Sequence, residues 1–408
     1  MSFEAFYGLP SDVKFCTKCV ISNQRPSSAI EFKTSVEEKK KVIHFDEEGV
    51  CSACRYNEVK NQNIDWEERD RTLRKLLDKY RRSDGRYDVI VPGSGGKDSS
   101  FTAHILKEKY GMNPLTVTWA PHLYTEIGWK NMQNWSHKGG LDNILYTPNG
   151  KLHQLLTKYA FTNLLHPFQP FIIGQRIIGP MMAKRFGVEL VMYGENQAEY
   201  GNNVDENNSP LMDDNFYTVD NPHDMSFGGV KMKDIIASTN FTLNDFAPYL
   251  PSPSEELKKA GVAVHYLGYY LKWDPQECYY YAVDNCGFQA NEFRTEGSYS
   301  KYSSIDDKID PYHYFTTLVK FGIGRATYDA AQEIRNDKIT REEGAHLVEK
   351  FDQEFPKKYF KEFLEYIDTT EEEFWKIVDK YRSPHLWGKN SDGEWKLRHT
   401  VGKNGLND

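Results

Sequence analysis

Long apolar runs are missing from this 408-residue chain. No stretch approaches the 18 residues that signal a membrane-spanning helix, and the start of the chain lacks a signal peptide's charged-then-apolar pattern. A soluble, cytoplasmic protein with no membrane partner is expected. A basic excess is missing as well: 51 Lys and Arg stand against 59 Asp and Glu, a net charge of −8. That balance speaks against a nucleic-acid partner, which calls for a basic face. The short basic runs, Glu37 to Lys41 and Arg69 to Arg82, interleave acids and read as solvated surface. Internal repeats and low-complexity tracts are absent. Cysteine is scarce, with six residues, and disulfides are disfavoured in a cytosolic chain.

Where the few cysteines stand is informative. Four form two pairs, Cys16-x-x-Cys19 and Cys51-x-x-Cys54, separated by 31 residues. Two such knuckles resemble a zinc ribbon, in which four thiolates close a tetrahedral structural site. An iron–sulfur cluster and free or disulfide thiols are the alternatives. Between the knuckles, Ile30–Phe32 and Val42–Phe45 read as short strands. Cys278 and Cys286 fall in an aromatic, helical region and read as buried core thiols.

The densest chemical signal is Ser94-Gly95-Gly96-Lys97-Asp98-Ser99-Ser100. An apolar strand pattern, Tyr87 to Val91, precedes it, and a helical pattern from Phe101 to Lys109 follows. Glycines let backbone N–H groups approach an oxyanion, and a helix start adds unpaired N–H groups and a positive dipole end. It is not a Walker A loop, because Asp98 rather than Ser or Thr follows the lysine, and it is not a G-x-G-x-x-G turn. The Ser-Gly-Gly-Lys-Asp-Ser run resembles the pyrophosphate loop of the N-type ATP pyrophosphatases, which split ATP between its α and β phosphates. In that reading Ser94, Gly95, Gly96, Lys97, Asp98 and Ser99 bind the triphosphate. Asp98 is suited to Mg²⁺, which prefers one or two carboxylates plus phosphate oxygens.

The surrounding pattern is β–α alternation. Residues 1–60 read as the zinc module, 61–250 as the nucleotide domain and 251–408 as a mainly helical substrate or interface region. An amphipathic helix is expected over 64–80. Strands are expected at 87–91, 114–119 and 188–193, with helices at 99–110, 124–138, 150–164 and 172–186. Such a pattern predicts a parallel sheet with ligands beyond the carboxyl ends of its strands. Residues 201–229 read as a long loop, either a lid or a surface excursion. Aromatics from Phe351 to Tyr381 recur at helical spacing and read as packing.

Taken together, several stretches resemble one family, the N-acetyl sugar amidotransferases of surface-polysaccharide and nonulosonic-acid biosynthesis (pseudaminic and legionaminic acid among them). They are the cysteine knuckles, the glycine loop, Thr125–Gly128 with Asn131, Tyr193–Gly201, Tyr266–Tyr270 with Trp273-Asp274, and Lys320–Thr327. The resemblance runs from about Cys16 to Tyr381. It implies an α/β parallel-sheet ATP pyrophosphatase domain with an N-terminal zinc ribbon and a helical C-terminal region. It also implies a C–N ligase that uses ATP and Mg²⁺, forms AMP and pyrophosphate, and converts a sugar acetamido group to acetamidino. A nucleotide-linked sugar and a nonulosonic acid are among the acceptors that the resemblance implies, and the sequence does not choose between them.

The chain shows no glutaminase elbow of its own, so a separate glutaminase subunit supplying ammonia is expected. A homo-oligomer is compatible with the sequence. Thr118 and Trp119 are candidates to flank adenine, with core packing the alternative for Trp119. Glu195, Asn196 and Glu199 are candidates for Mg²⁺ or sugar hydroxyls, with a turn or helix cap as the alternative. Lys320 and Arg325 are candidates for a carboxylate or phosphate, with an interdomain salt bridge as the alternative. Asp306, Asp307, Asp310 and His313 read as helix-dipole and capping groups, with a second metal site as the alternative. The competing function is a tRNA-modifying enzyme of thiolase or lysidine-synthetase type. A non-enzymatic nucleotide sensor is the third reading.

Overall fold

Strands alternate their apolar side chains between two cores, and this places the glycine loop. In the computed structural model, which describes residues 3–202 and 209–402, five parallel strands form the main sheet. They are β1 (Val89–Pro92), β2 (Pro114–Trp119), β3 (Asp142–Tyr146), β4 (Leu190–Tyr193) and β5 (Ala263–Tyr266), in the order β3-β2-β1-β4-β5. Val89 pairs with Pro114 on one side and Leu190 on the other, and Leu190 in turn pairs with Ala263. Val89, Val91, Leu190 and Met192 face one core, shared with helices α2 (Trp66–Tyr80), α3 (Lys97–Glu108) and α4 (Glu126–His137); α1 (Ser52–Gln62) precedes α2. Ile90, Leu115, Val117, Trp119 and Val191 face the other, shared with α5 (Gly150–Leu164) and α6 (Gln169–Phe186). A period of two in a strand buried on both faces produces this split.

Local chemistry sets the helix ends. Asp65 accepts from the N–H groups of Glu67 and Glu68, both at 3.0 Å, and starts α2. Pro170 stands in the first turn of α6, which therefore begins at Gln169, earlier than the pattern indicated. Within α6, a Cβ at Gly174 would lie 2.0 Å from the Trp119 ring, so glycine lets this helix lie directly on the sheet.

Several expected elements differ. Asp142–Tyr146 and Ala263–Tyr266 are strands where none was expected. The first begins with two polar residues at a sheet edge, and the second has four residues inside a stretch that otherwise reads as helical. Conversely, Ile30–Phe32 and Val42–Phe45 do not pair as strands. Glu31–Lys33 is a 3₁₀ turn, and the segment pairs through isolated bridges, Pro26 to Val42 and Phe45 to Cys51, with backbone hydrogen bonds such as Ser27 N–H to Lys41 O at 2.8 Å and Ile43 N–H to Arg25 O at 3.0 Å. The stretch 201–229 lies partly outside the described residues. Its described part packs inward through the buried Met212, Met225 and Phe227, and the Met212 N–H donates to Val264 O at 2.9 Å.

Beyond the sheet, α7 (Pro275–Cys286) lies on α3, and the chain continues through α8 (Asp310–Phe321), α9 (Arg325–Arg335) and α10 (Arg341–Phe351). Aromatic rings close the rear of this region as expected, with Tyr312 stacked on Phe363 at 4.3 Å. The cysteine module packs on α9, where Val20, Ile21 and Ile43 share a core with Ile323, Ala330 and Ala331. Among the described residues no helix is long and apolar enough to cross a membrane.

Candidate active site

The sheet order reverses at β1: the chain moves to β2 and β3 on one side and returns to β4 and β5 on the other. Ligands of open α/β sheets sit at such a reversal, beyond the strand ends. The glycine loop leaves β1 at this point. Gly95 has φ of +78°, and a Cβ there would lie 2.9 Å from Met132 Cα. Both facts require glycine. Gly96 caps α3, which starts at Lys97 and aims its free N–H groups into the crevice. The Ser99 hydroxyl donates back to Gly96 O at 3.1 Å and braces the turn.

A cavity of about 620 Å³ opens over this loop. Its floor is Gly93, Ser94, Lys97 and Asp98, with Trp119 from the end of β2 and Glu195 from the end of β4. Arg325, Asp329 and Gln332 of α9 form its roof. A chamber of about 200 Å³ continues beneath the loop to Asn131 and Asp306. Lys97 Nζ lies 2.6 Å from Asp98 Oδ2, while Asp98 Oδ1 is buried without a hydrogen-bond partner. Glu195 accepts from the Tyr200 hydroxyl and, at 3.2 Å, from Gln332 Nε2. Burial, reinforced by the Asp98 charge and opposed by Lys97, pushes the Glu195 carboxyl up to about 8. Two carboxylates and a lysine line this floor, one acid with an open oxygen, and such a set could hold a cation carried with a phosphate chain.

The other candidates separate. Trp119 lines the cavity, whereas Thr118 points to the opposite face of the sheet and accepts from Asn143 Nδ2 at 2.9 Å. Asn196 caps the turn Gln197–Tyr200 through the Ala198 N–H at 3.0 Å. Glu199, four residues from Glu195, is sealed outside the cavity. Lys60 Nζ lies 2.9 and 3.1 Å from its two oxygens and also donates to Trp273 O at 2.8 Å. Lys320 is also elsewhere: buried, it donates to Leu164 O at 2.8 Å and lines a separate cavity of about 230 Å³. Arg325 does reach the main cavity, 3.1 Å from Asp329 and over the Tyr314 ring at 4.4 Å. Asp307 is structural, accepting from His122 Nδ1 at 2.8 Å, while Asp306 faces the loop and engages Ser94.

Sequence reasoning passed over Arg25, Arg176, Asp329 and Gln332, all of which line the cavity. Arg25 lies between the knuckles, where the cysteines dominate the pattern. Asp329 and Gln332 carry a weak signal: they follow Arg325 at helical spacing and so share its face.

Cys16, Cys19, Cys51 and Cys54 converge. Their sulfurs lie within 4.8 Å of one another, with 3.8 Å between Cys16 and Cys54 and between Cys19 and Cys51. Bonds of about 2.3 Å from four thiolates to one tetrahedral ion give an edge of about 3.8 Å. A cubane spreads its thiolates over different irons and needs a wider spacing. Backbone N–H groups of Cys19 and Cys51 point at Cys16 Sγ, at 3.4 and 3.3 Å, as suits a thiolate. The donor set fits a single closed ion.

Comparisons with known proteins bear first on the roof. Residues 296–401, which carry α8, α9 and α10, match the family model described as LPS biosynthesis protein WbpG-like, C-terminal domain. An uncharacterised protein of Methanocaldococcus jannaschii is 31% identical over 78 residues, covering 19% of this chain and 27% of that protein. Among solved structures, the NH3-dependent NAD synthetase from Campylobacter jejuni aligns at 14% identity and a TM-score of 0.24, over 32% of this chain and 56% of that one. The U34-tRNA thiolase NcsA from Methanococcus maripaludis, solved with its [4Fe-4S] cluster, aligns at 13% identity and a TM-score of 0.31, over 82% and 88%. The NMN synthetase from Francisella tularensis aligns at 13% identity and a TM-score of 0.26, over 70% and 97%. Likeness at these scores carries no argument about the reaction.

Proposed function

We propose that this chain is an ATP-dependent amidotransferase that converts the acetamido group of a sugar to an acetamidino group in surface-glycan synthesis. One observation carries the reading: a glycine loop and helix start, suited to a leaving pyrophosphate, lie under a roof whose residues match the WbpG-like LPS-biosynthesis domain. An amide is a poor electrophile because oxide is a poor leaving group. Attack of the amide oxygen on the α phosphorus of ATP forms a C–O–P link and breaks the bond to the β phosphate. The loop N–H groups and Lys97 take up the charge that develops on pyrophosphate. Ammonia then adds to the amide carbon, AMP leaves with the former amide oxygen, and the nitrogen gives up its extra protons.

Magnesium accompanying ATP suits Asp98 and Glu195. Zinc suits the four cysteines, where it adds folding stability and takes no part in the chemistry, since four thiolates leave no position open. Ammonia from a glutaminase partner fits a chain whose remaining cysteines, Cys278 and Cys286, are buried thiols that burial pushes up. The test is product analysis by mass spectrometry with ATP, Mg²⁺, ammonium and acetamido sugars. AMP together with a sugar in which one oxygen has become NH supports the reading. AMP formed only with tRNA would replace it with the RNA-modifying alternative.

A further inference from the structure

Of the cations around the main cavity, Lys97 has Asp98 and Arg325 has Asp329. Arg25 and Arg176 have no carboxylate in ion-pair range among the described residues. Arg176 is only half-buried and is engaged, with Nη1 4.0 Å from Met212 Sδ and its guanidinium over the Phe216 ring at 5.6 Å. Arg25 is only 8% exposed and lines the cavity, which leaves it as the buried one with an open donor. Its Nη1 is buried without a hydrogen-bond partner. Tyr200 and Tyr328 flank the guanidinium, at 5.8 and 5.7 Å from their ring centres. A buried guanidinium held between two rings with a donor left open is costly unless an anion completes it. Its planar fork matches the paired oxygens of a carboxylate or phosphate.

Two other uses of this charge are already served. In the reading above, the ATP phosphates are held by the glycine loop. The thiolate cluster, whose Cys51 also attracts Arg25, has Arg335, drawn to Cys19, Cys51 and Cys54, and Arg341, which donates to the backbone oxygens of Cys16 and Cys19. We infer that Arg25 is the residue that binds the carboxylate or phosphate oxygens of the acetamido acceptor.

This inference rests on the amidotransferase reading for the acceptor's acetamido group, but its test does not require turnover. The full chain with its metal, saturated with α,β-methylene-ATP, is titrated calorimetrically with three probes. These are N-acetylglucosamine, N-acetylglucosaminuronic acid and UDP-N-acetylglucosamine. At least one anionic probe should bind and the neutral sugar should not. Which of the two binds separates a sugar carboxylate from a nucleotide diphosphate. Arg25→Met should weaken that binding by about 30-fold, the worth of a hydrogen bond to a charged group. Arg25→Lys should fall between, because it restores charge without the fork. Metal content and the affinity for the ATP analogue should stay unchanged.

Equal binding of the neutral sugar, no anionic binding that depends on Arg25, or loss of the metal in Arg25→Met would overturn the assignment. If anionic binding depends on Arg25 while no amidine forms under catalytic conditions, the reaction assigned above fails and this binding site stands.

Discussion

The floor and the roof of the cavity are made of different material. The floor is built on backbone: the turn at Gly93 and Ser94 and the start of α3 at Lys97, with Gly95 and Gly96 lining the chamber beneath. The roof presents side chains, most of them already engaged, as Arg325 is with Asp329 and Gln332 with Glu195. Backbone donors are aimed by the chain itself and meet a phosphate whatever it is attached to. Side chains are aimed by their neighbours and can favour one partner over another. A lesion in the floor should therefore stop the reaction with every acceptor. A lesion in the roof should change stability or acceptor affinity and spare ATP.

The sharpest break in that contrast is Asp98→Asn. It removes the charge beside Lys97 and the free oxygen suited to magnesium, and it keeps the shape. AMP and pyrophosphate formation should fall by about 10²- to 10³-fold, the loss seen when one group that stabilises developing charge is removed. The thermal midpoint should hold, since the Asp98 side chain is 39% exposed. Retained AMP formation with any acceptor would remove the floor from the chemistry.

The Lys60–Glu199 pair joins the cysteine module to the turn after β4, with side chains 1% and 8% exposed. Lys60→Met alone leaves a buried carboxylate unpaired and should cost about 3–5 kcal/mol. Adding Glu199→Gln should recover most of that. Chemical denaturation of the single and double variants measures both. If the single variant loses AMP formation with its stability unchanged, Glu199 belongs to the floor's chemistry after all.

Legibility followed the same division. The loop, β1, β2 and β4 were readable because backbone chemistry writes itself into local sequence: glycines, a lysine, and an apolar run of period two. The cysteine spacing was readable for the same reason. Glu195 and Glu199 were not separable in sequence, because only the fold brings Lys60, 139 positions from Glu199, beneath the second of them. Arg25 and Lys320 exchanged expectations on the same ground. Lys320 stands in a conspicuous run yet turns away to Leu164, while Arg25 stands in an unremarkable run yet reaches the cavity. The strand at Ala263–Tyr266 was missed because four residues carry too little periodicity to tell a strand from a buried helix.

A milder roof lesion is Asp352→Ala. Gly324, the residue before α9, has no capping side chain of its own. Asp352 supplies the cap from the end of α10, accepting from the N–H groups of Gly324 and Thr327 at 2.9 Å each and from the Thr327 hydroxyl at 2.8 Å. Losing these bonds at a buried helix start should cost about 2–3 kcal/mol. Because α9 carries Arg325, Asp329 and Gln332, acceptor KM should rise while the KM for ATP stays near that of the parent. Equal rises in both would show that α9 supports the floor as much as the roof.

The smallest expected effect lies at Lys320, behind the roof. Burial, with a further push from Lys40, lowers its amine from 10.5 to about 7. Below pH 7 the amine is protonated in both the folded and the unfolded chain, and the full cost of burying its charge is present. Between about 7 and 10.5 the unfolded chain holds a proton that the folded one has released, so this group makes stability rise with pH. Lys320→Met removes that dependence. Its stability relative to the parent should be most favourable below pH 7 and should decline by about 1–2 kcal/mol as the pH climbs through the window, less than the full shift because relaxation and water soften the buried charge. Denaturation midpoints on either side of the window measure the change. A difference independent of pH would mean that Lys320 stays charged beside Glu31 and is an ion-pair partner there. The charged side chains of this region would then extend past the cavity into its rear wall.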